Sequence, residues 1–316
     1  VTRQINFFMN NRLGNSSGEI INIKNLPVQV TDKYQVFKQE LMKHSSILNV
    51  TSSMEDPADE SMDMMPFETT GIKENIENKM LYVYPVDDNF FPFYHIDFLS
   101  GRNFKPFDGN NLGPENYILN EKAVKMLGWS PNEAVGKPFT LKFFMNDSNF
   151  FNGGRIVGVV EDFQMASMKN EIKPFVFFQK SFWLFSAQIK IEEETKAETL
   201  EHIENVWNSI YTDFPFECNF VENLYKAVYR NEFQIKKMGI SLGVIALLLS
   251  GLGLLSITGI LFQTKTKEIG IRKVNGATSC NILQMLAREY STWIVLAIIF
   301  ASPLAWVLMN KWLQNY

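Results

Sequence analysis

Met238–Phe262 carries no charge, and it is followed by the basic segment Lys265-Thr-Lys-Glu-Ile-Gly-Ile-Arg-Lys-Val-Asn-Gly-Ala-Thr278 and a second uncharged stretch, Thr292–Met309. As a helix, the first stretch would extend about 37 Å, more than the roughly 30 Å hydrocarbon core of a bilayer. It is therefore predicted to span a membrane at 238–262. The alternative is a helix buried in a protein core.

The second uncharged stretch is shorter, but aromatic residues extend it. Tyr290 precedes it and Trp312 follows it, and such residues are enriched at membrane–water interfaces. A second span is predicted at 290–309, again with a buried core helix as the alternative. The chain is therefore expected to be a membrane protein with a large water-soluble part.

Charge divides the chain into an acidic part and a basic part. Residues 231–316 contain eight Lys or Arg and three acidic residues; of the chain's 30 basic and 34 acidic residues, this leaves 22 and 31 for residues 1–230. A nucleic-acid-binding domain would need clustered basic groups, so nucleic acid is not expected as a partner. The expected surroundings of the basic part are membrane lipid.

The basic loop at 263–289 sets the predicted topology, because short loops rich in Lys and Arg stay on the cytoplasmic side. Residues 18–230 are then expected on the extracytoplasmic side of the cytoplasmic (inner) membrane. Cys218 and Cys280 would lie on opposite sides and could not form a disulfide. Because the chain starts at Val1 without an exporting segment, it is expected to be a fragment of a longer polypeptide.

The part before the first span shows alternating strand and helix patterns. A strand is predicted at Glu19–Lys24, and a helix at Thr31–Lys43 with a Thr31/Asp32 cap. Asn116–Gly128 reads as a strand, an Asn120 cap and a helix closed by Gly128. Met54–Met65 is predicted to be an exposed loop. The remaining predicted elements are strands at 47–52, 80–86, 136–141, 155–163, 175–179, 186–192 and 216–221, and helices at 195–211 and 223–237, the last running without a break into the first span.

Patterns for catalysis and metal binding are weak. No G-x-x-x-x-G-K-[ST] loop is present, so this chain is not expected to hydrolyse nucleotide. The histidines His44, His95 and His202 are interpreted as single surface residues, and the Met-rich loop lacks the thiolate that would favour a soft metal. No cofactor, metal or catalytic residue is predicted.

Glycines in the first span have two readings. Gly239-Ile-Ser-Leu-Gly243 matches the hydrolase pattern G-x-S-x-G, but that chemistry needs a strained strand-to-helix turn. The same residues match G-x-x-x-G, which lets membrane helices approach closely. Helix packing is predicted for Gly239, Gly243 and Gly251, with helical filler as the alternative.

Lys267–Thr278, followed by Ile282–Tyr290 and a second apolar stretch, resembles the cytoplasmic coupling region of the MacB/FtsX-type ABC permeases. Tyr117–Gly128 and Gly158–Phe163 are similar to the extracytoplasmic core domain of that family, particularly in the larger permeases of Bacteroidota-like bacteria. The resemblance covers the whole chain. The alternative for the basic loop is a solvated turn whose only role is to set the membrane topology.

The resemblance implies an α+β extracytoplasmic domain followed by transmembrane α-helices. Family members have four spans per unit, so this chain would hold the second and third, and 1–17 would follow a missing first span. The domain at 18–230 would comprise a porter-like part, about 18–98 with 175–230, and an inserted, mainly β part at about 99–174. The membrane region would be 231–316.

The implied mechanism is mechanotransmission to the outer domain for export or extraction, driven by a separate cytoplasmic ABC ATPase. A second permease unit and an extracytoplasmic protein are the other implied partners. The residues expected to contact the ATPase or shape the segment are Lys267, Glu268, Ile269, Gly270, Ile271, Arg272, Lys273, Gly276 and Ala277. The competing hypothesis is a membrane-anchored sensor or adaptor that regulates a partner such as a cell-wall hydrolase without transport; a tethered enzyme is disfavoured.

Overall fold

The computed structural model describes residues 19–27, 33–59, 61–72, 80–106, 114–142, 151–164, 171–228 and 230–313. The chain forms two compact units, Val1–Glu232 and Phe233–Tyr316. In the described residues, the first unit contains both strands and helices and the second contains helices. The predicted α+β class, followed by long apolar helices, is confirmed.

The strands described in the first unit belong to two sheets. They are β1 (Glu19–Ile23), β2 (Ile47–Ser53), β3 (Met64–Thr69), β4 (Met80–Pro85), β5 (Phe98–Gly101), β6 (Asn116–Asn120), β7 (Pro138–Leu141), β8 (Gly154–Val160), β9 (Phe175–Phe178), β10 (Ser186–Ile191) and β11 (Cys218–Phe220).

The described helices range from one turn to almost ten turns. They are α1 (Tyr34–Leu41), α2 (Phe90–Phe93), α3 (Glu121–Leu127), α4 (Pro131–Ala134), α5 (Lys196–Ile210), α6 (Val221–Val228), α7 (Arg230–Thr264), α8 (Thr266–Val274) and α9 (Ser279–Leu313). The predicted Thr31/Asp32 cap lies outside the described residues. The predicted helix over 223–237 falls within α6 and α7, and residue 229 between them lies outside the described residues.

The smaller sheet has four antiparallel strands in the order β11-β1-β10-β2. Alternate residues of β1 and β10, such as Ile21 and Ile189, belong to one apolar cluster with α1 and α5. The ring of Phe37 on α1 meets the edge of Trp207 on α5 at a centroid distance of 5.8 Å. We call this sheet with α1 and α5 the four-stranded lobe.

The larger sheet has seven strands in the order β5-β8-β6-β9-β4-β3-β7, and β7 also pairs with β8, which closes the sheet on itself. Its core includes buried aromatic residues of several strands and the apolar face of α3. Asn120 caps α3 by accepting a hydrogen bond from the Ala123 amide, and Gly128 ends it at φ +80°. We call this sheet with α2, α3 and α4 the seven-stranded lobe.

The boundary between the lobes differs from the predicted inserted part at about 99–174. Strands β3, β4 and β9, which the prediction placed in the porter-like part, belong to the larger sheet, which therefore extends from Met64 to Phe178. The reason is non-local: β4 pairs in parallel with β9, and no local pattern encodes that pairing. The predicted loop Met54–Met65 likewise ends in β3, because Met64 and Met65 pair with β4.

Candidate coupling segment

Helix α7 supplies the apolar segment before the predicted coupling loop. Its stretch Lys237–Ile260 has 24 residues and a mean hydropathy of 2.4, and none of this stretch is buried within the chain. Large side chains such as Leu242 and Leu255 are 66% and 70% exposed. A core helix would bury such residues, so the observed exposure favours lipid surroundings over the core-helix alternative.

Helix α9 leads from the loop into the second apolar stretch as one continuous helix, Ser279–Leu313. The apolar part of α9 is Val295–Val307, shorter than that of α7, and Pro303 lies inside the helix. The predicted second span thus coincides with the C-terminal half of a longer helix.

Helix α8 carries the predicted coupling residues and ends in a defined turn. The Ala277 amide donates to the Arg272 carbonyl at 3.0 Å, and the Gly276 amide donates to the Lys273 carbonyl at 3.2 Å. These two bonds form a Schellman motif, which requires a left-handed residue at the position of Gly276, where φ is +88°. The Thr278 side chain then accepts from the Asn281 amide at 3.4 Å and caps α9.

Two glycines of this segment are predicted to respond oppositely to alanine. A Cβ at Gly276 or Gly270 would meet no atom within 4 Å, so backbone conformation decides the outcome. Gly276→Ala should destabilise the turn by about 1–2 kcal/mol because of its positive φ. Gly270→Ala, inside α8, should stabilise the helix by about 0.5–1 kcal/mol. Hydrogen exchange of peptides covering 266–281 measures both changes; equal effects of the two substitutions would contradict the turn.

An intrahelical ion pair orders one side of α8. Arg272 donates from its guanidinium to the Glu268 carboxylate at 2.8 Å, four residues earlier, and both side chains are about half exposed. Such an exposed pair contributes about 0.3–0.5 kcal/mol. Glu268 and Arg272 are thus brought together, while Lys273 lies exposed on the next position of the helix surface.

Another face of α8 exposes two large apolar side chains, next to Lys267. Lys267, Gly270, Ile271 and Val274 follow the i, i+3, i+4, i+7 spacing that places residues on one helix face. Ile271 is 65% exposed and Val274 is 88% exposed. Val274 was not predicted as a coupling residue, although this spacing could have identified it. Ile269 and Ala277, by contrast, are half-buried.

Comparison with known proteins identifies this region. Residues 240–315 match the family FtsX-like permease C-terminal. The C-terminal part of the chain thus matches the C-terminal region of FtsX-like permeases. The resemblance drawn from the motif at 267–278 is thereby confirmed, and α8 is the short helix between the two long helices of this region.

Solved structures similar to the chain include a periplasmic region and an extracellular domain. The periplasmic region of MacB from Actinobacillus actinomycetemcomitans is 14% identical, with 66% of this chain and 92% of that chain covered at a TM-score of 0.43. The extracellular domain of the noncanonic ABC-type transporter YknZ from Gram-positive bacteria is 11% identical, covering 65% and 99% at 0.41. A domain of a putative permease protein from Porphyromonas gingivalis is 10% identical, covering 64% and 87% at 0.38. None of the curated proteins compared with the chain matches it.

Helix packing through the glycines of α7 stays a prediction. A Cβ placed at Gly239, Gly243 or Gly251 would meet no atom within 4 Å. These positions therefore have room for a closely packed neighbouring helix.

The sequence suggested that the three histidines are single surface residues, but two of them lie side by side in the first unit. The rings of His44 and His202 lie 4.5 Å apart, and the Ser46 amide donates to His44 Nδ1 at 3.3 Å. Burial, and then the proximity of His44, lowers the pKa of His202. Both causes favour the neutral form of His202.

Proposed function

We propose that the chain is the permease subunit of a MacB/FtsX-type ABC transporter in the cytoplasmic membrane. In this proposal a separate cytoplasmic ATPase moves α8, and α7 and α9 carry the motion to the extracytoplasmic unit for export or extraction of a substrate. The observation that carries the proposal is the exposed, basic helix α8 between two long apolar helices inside the region that matches the permease family.

The construction of α8 supports a role in receiving force. Its C-terminal turn is fixed by the two Schellman hydrogen bonds and by the cap at Thr278. A displacement of α8 would therefore move the start of α9 rather than be absorbed by a flexible loop. The exposed Ile271 and Val274, surrounded by Lys267, Arg272 and Lys273, offer an apolar contact with a positively charged rim.

The charge pattern supports the proposed orientation. Five Lys or Arg against two Glu lie in residues 263–289, which favours retention of the loop in the cytoplasm. The first unit would then lie outside. A second permease unit, packed through the glycines of α7, and an extracytoplasmic protein complete the proposed set of partners.

Thiol labelling in intact cells tests this orientation. Cys280 is exposed, so a membrane-impermeant maleimide should label it only after cell lysis. Lys43→Cys serves as the matched outside control, because the Lys43 side chain is 67% exposed in the first unit. Cys218 is replaced by Ser in both variants. Labelling of Cys280 in intact cells at the rate of the Lys43→Cys control would overturn the orientation.

A further inference from the structure

The four-stranded sheet has a second face, which is polar and buried. Side chains alternate between the two faces of a strand. Because Ile21 and Ile189 belong to the apolar cluster with α1 and α5, their neighbours Asn22, Gln188 and Lys190 lie on the other face. These three are 0%, 0% and 7% exposed. Buried polar groups are costly without partners, so each of the three needs a partner at this face.

The carboxylate of Asp56, shortly after β2, satisfies part of this face. It accepts hydrogen bonds from Asn22 Nδ2 at 2.6 Å and from Ser186 Oγ at 2.8 Å, and Lys24 Nζ lies 2.6 Å from its other oxygen. The side-chain amide of Gln188 donates to Asn22 and to Ser186. The charge of Asp56 is thus compensated by Lys24, and the polar groups around it are bonded to one another.

A second carboxylate, that of Asp87, is compensated in the same way. Asp87 follows β4 of the seven-stranded lobe and is 3% exposed. It accepts hydrogen bonds from Tyr34 Oη at 2.9 Å, from Lys38 Nζ at 2.8 Å and from the Thr51 hydroxyl, all in the four-stranded lobe. Each of the two carboxylates therefore already has a lysine of its own.

Lys190 is the cation of this face that is left without a carboxylate. None of the described carboxylates forms an ion pair with its ammonium, and no described group accepts a hydrogen bond from it. Glu192, two residues later, is exposed. Burial lowers the pKa of Lys190. Lysine is almost never buried unless it is paired, because an unpaired buried charge is strongly destabilising. The ammonium of Lys190 is therefore uncompensated within the described part of the chain.

Asn49 places a second hydrogen-bond donor beside Lys190. The two residues are directly opposite each other in the antiparallel pair of β2 and β10, and such residues share a face with their Cβ atoms about 4.5–5.5 Å apart. Asn49 Oδ1 accepts from the Val50 amide at 2.9 Å and from the Asn89 side chain. Because the Val50 amide can only donate, the oxygen of Asn49 is fixed there. Its Nδ2 has no acceptor among the described residues.

This pair of donors has the charge and the shape of a carboxylate site. One ammonium and one amide can each donate to a different oxygen of a group that carries a single negative charge. A phosphate group carries nearly two negative charges, and the nearby lysines Lys24 and Lys38 are already paired. On its other side, Lys190 is opposite the apolar Ile20 of β1, which offers no competing side-chain acceptor.

We propose that Lys190 and Asn49 form a binding site for a single carboxylate group, supplied by a small organic acid or by the C-terminus of a polypeptide. The site lies in the first unit, apart from α8, and its existence does not depend on the proposed function. In the proposed orientation, the acid or polypeptide that it binds would be extracytoplasmic.

Urea unfolding of the full-length protein in lipid nanodiscs tests the site, with acetate as the probe and chloride at the same ionic strength and pH as the reference. Acetate should raise the midpoint of the parent above that in chloride. At ten times its dissociation constant, acetate should raise the folding equilibrium constant about 11-fold. Lys190→Met removes the charge and should lose this response. Lys43→Met, at a side chain that is 67% exposed, should keep it.

A second variant supplies the carboxylate from within the chain. Asn49→Asp keeps an acceptor for the Val50 amide and places a negative charge opposite Lys190. It should raise the midpoint in the absence of acetate and should no longer respond to acetate. This variant keeps the test decisive if Lys190→Met fails to fold.

A short peptide separates the two sources of the carboxylate. A response to acetate assigns the site to a small acid. A response to a tripeptide with a free C-terminus, but neither to acetate nor to the same tripeptide with an amidated C-terminus, assigns it to the end of a polypeptide. A parent midpoint that responds to neither probe would overturn the proposal, as would an acetate response of equal size in the parent, Lys190→Met and Asn49→Asp. None of these measurements involves the ATPase, so failure of the site leaves the proposed function intact.

Discussion

The double substitution Arg272→Glu, Lys273→Glu is expected to abolish the stimulation of the ATPase subunit by the full-length protein. Both side chains are exposed on α8, and reversal turns two attractive contacts with the proposed partner into repulsive ones. Like charges placed together at an interface cost several kcal/mol. ATPase rates of the reconstituted complex and of the ATPase alone measure the effect.

A charge swap separates a contact with the ATPase from the intrahelical ion pair. Glu268→Arg with Arg272→Glu keeps an oppositely charged pair at the same spacing. If Arg272 acts only by stabilising α8, the swap should restore coupling; if Arg272 contacts the ATPase, the swap should remain defective. Lys265, Lys267 and Arg288 still provide basic residues to the loop, so insertion should be unchanged. Normal stimulation of the ATPase by the Arg272→Glu, Lys273→Glu variant would rule out the contact.

Asp87→Ala is expected to destabilise the first unit by about 3–5 kcal/mol, because removal of one partner from a buried ion pair leaves the other charge uncompensated. Lys38 would lose its partner at 2.8 Å, and Tyr34 and Thr51 would lose the acceptor of their hydroxyl groups. The urea midpoint of the full-length protein in nanodiscs, followed by proteolysis of the first unit, measures the loss.

The adjacent residue provides the matched control. Asp88 is 29% exposed, and its carboxylate lies 3.9 Å from Lys38 Nζ. A partly exposed pair at this distance contributes about 1 kcal/mol or less, so Asp88→Ala should change the midpoint little. Equal midpoints for Asp87→Ala and Asp88→Ala would show that the buried network does not hold the lobes together.

The parts of the fold that follow local patterns were predictable. Asn116–Gly128 encodes its strand, cap, helix and left-handed end within a short stretch, and the structure confirms each of them. The assignment of strands to sheets was not predictable, because β4 pairs with β9, almost a hundred residues later. The closeness of His44 and His202 depends on the packing of the four-stranded lobe in the same way.

The candidate site shows the same division. The basic charge, the glycine turn and the two flanking apolar stretches are visible in sequence, and Gly276 has the left-handed conformation expected of a helix-ending glycine. Val274 was not predicted because it stands between Lys273 and Asn275 in a polar stretch. The helix spacing that unites it with Ile271 becomes decisive once the bounds of α8 are known.

Site-specific photo-crosslinking from Val274 tests most directly whether α8 receives force from an ATPase. A photoreactive amino acid replaces Val274, which is 88% exposed, and separately Val36, which is 49% exposed in the first unit. The account predicts a crosslink from position 274 to the co-purified ATPase subunit, changed in yield by ATP, and none from position 36. A position 274 that captures no ATPase in the assembled complex, with or without nucleotide, would contradict it.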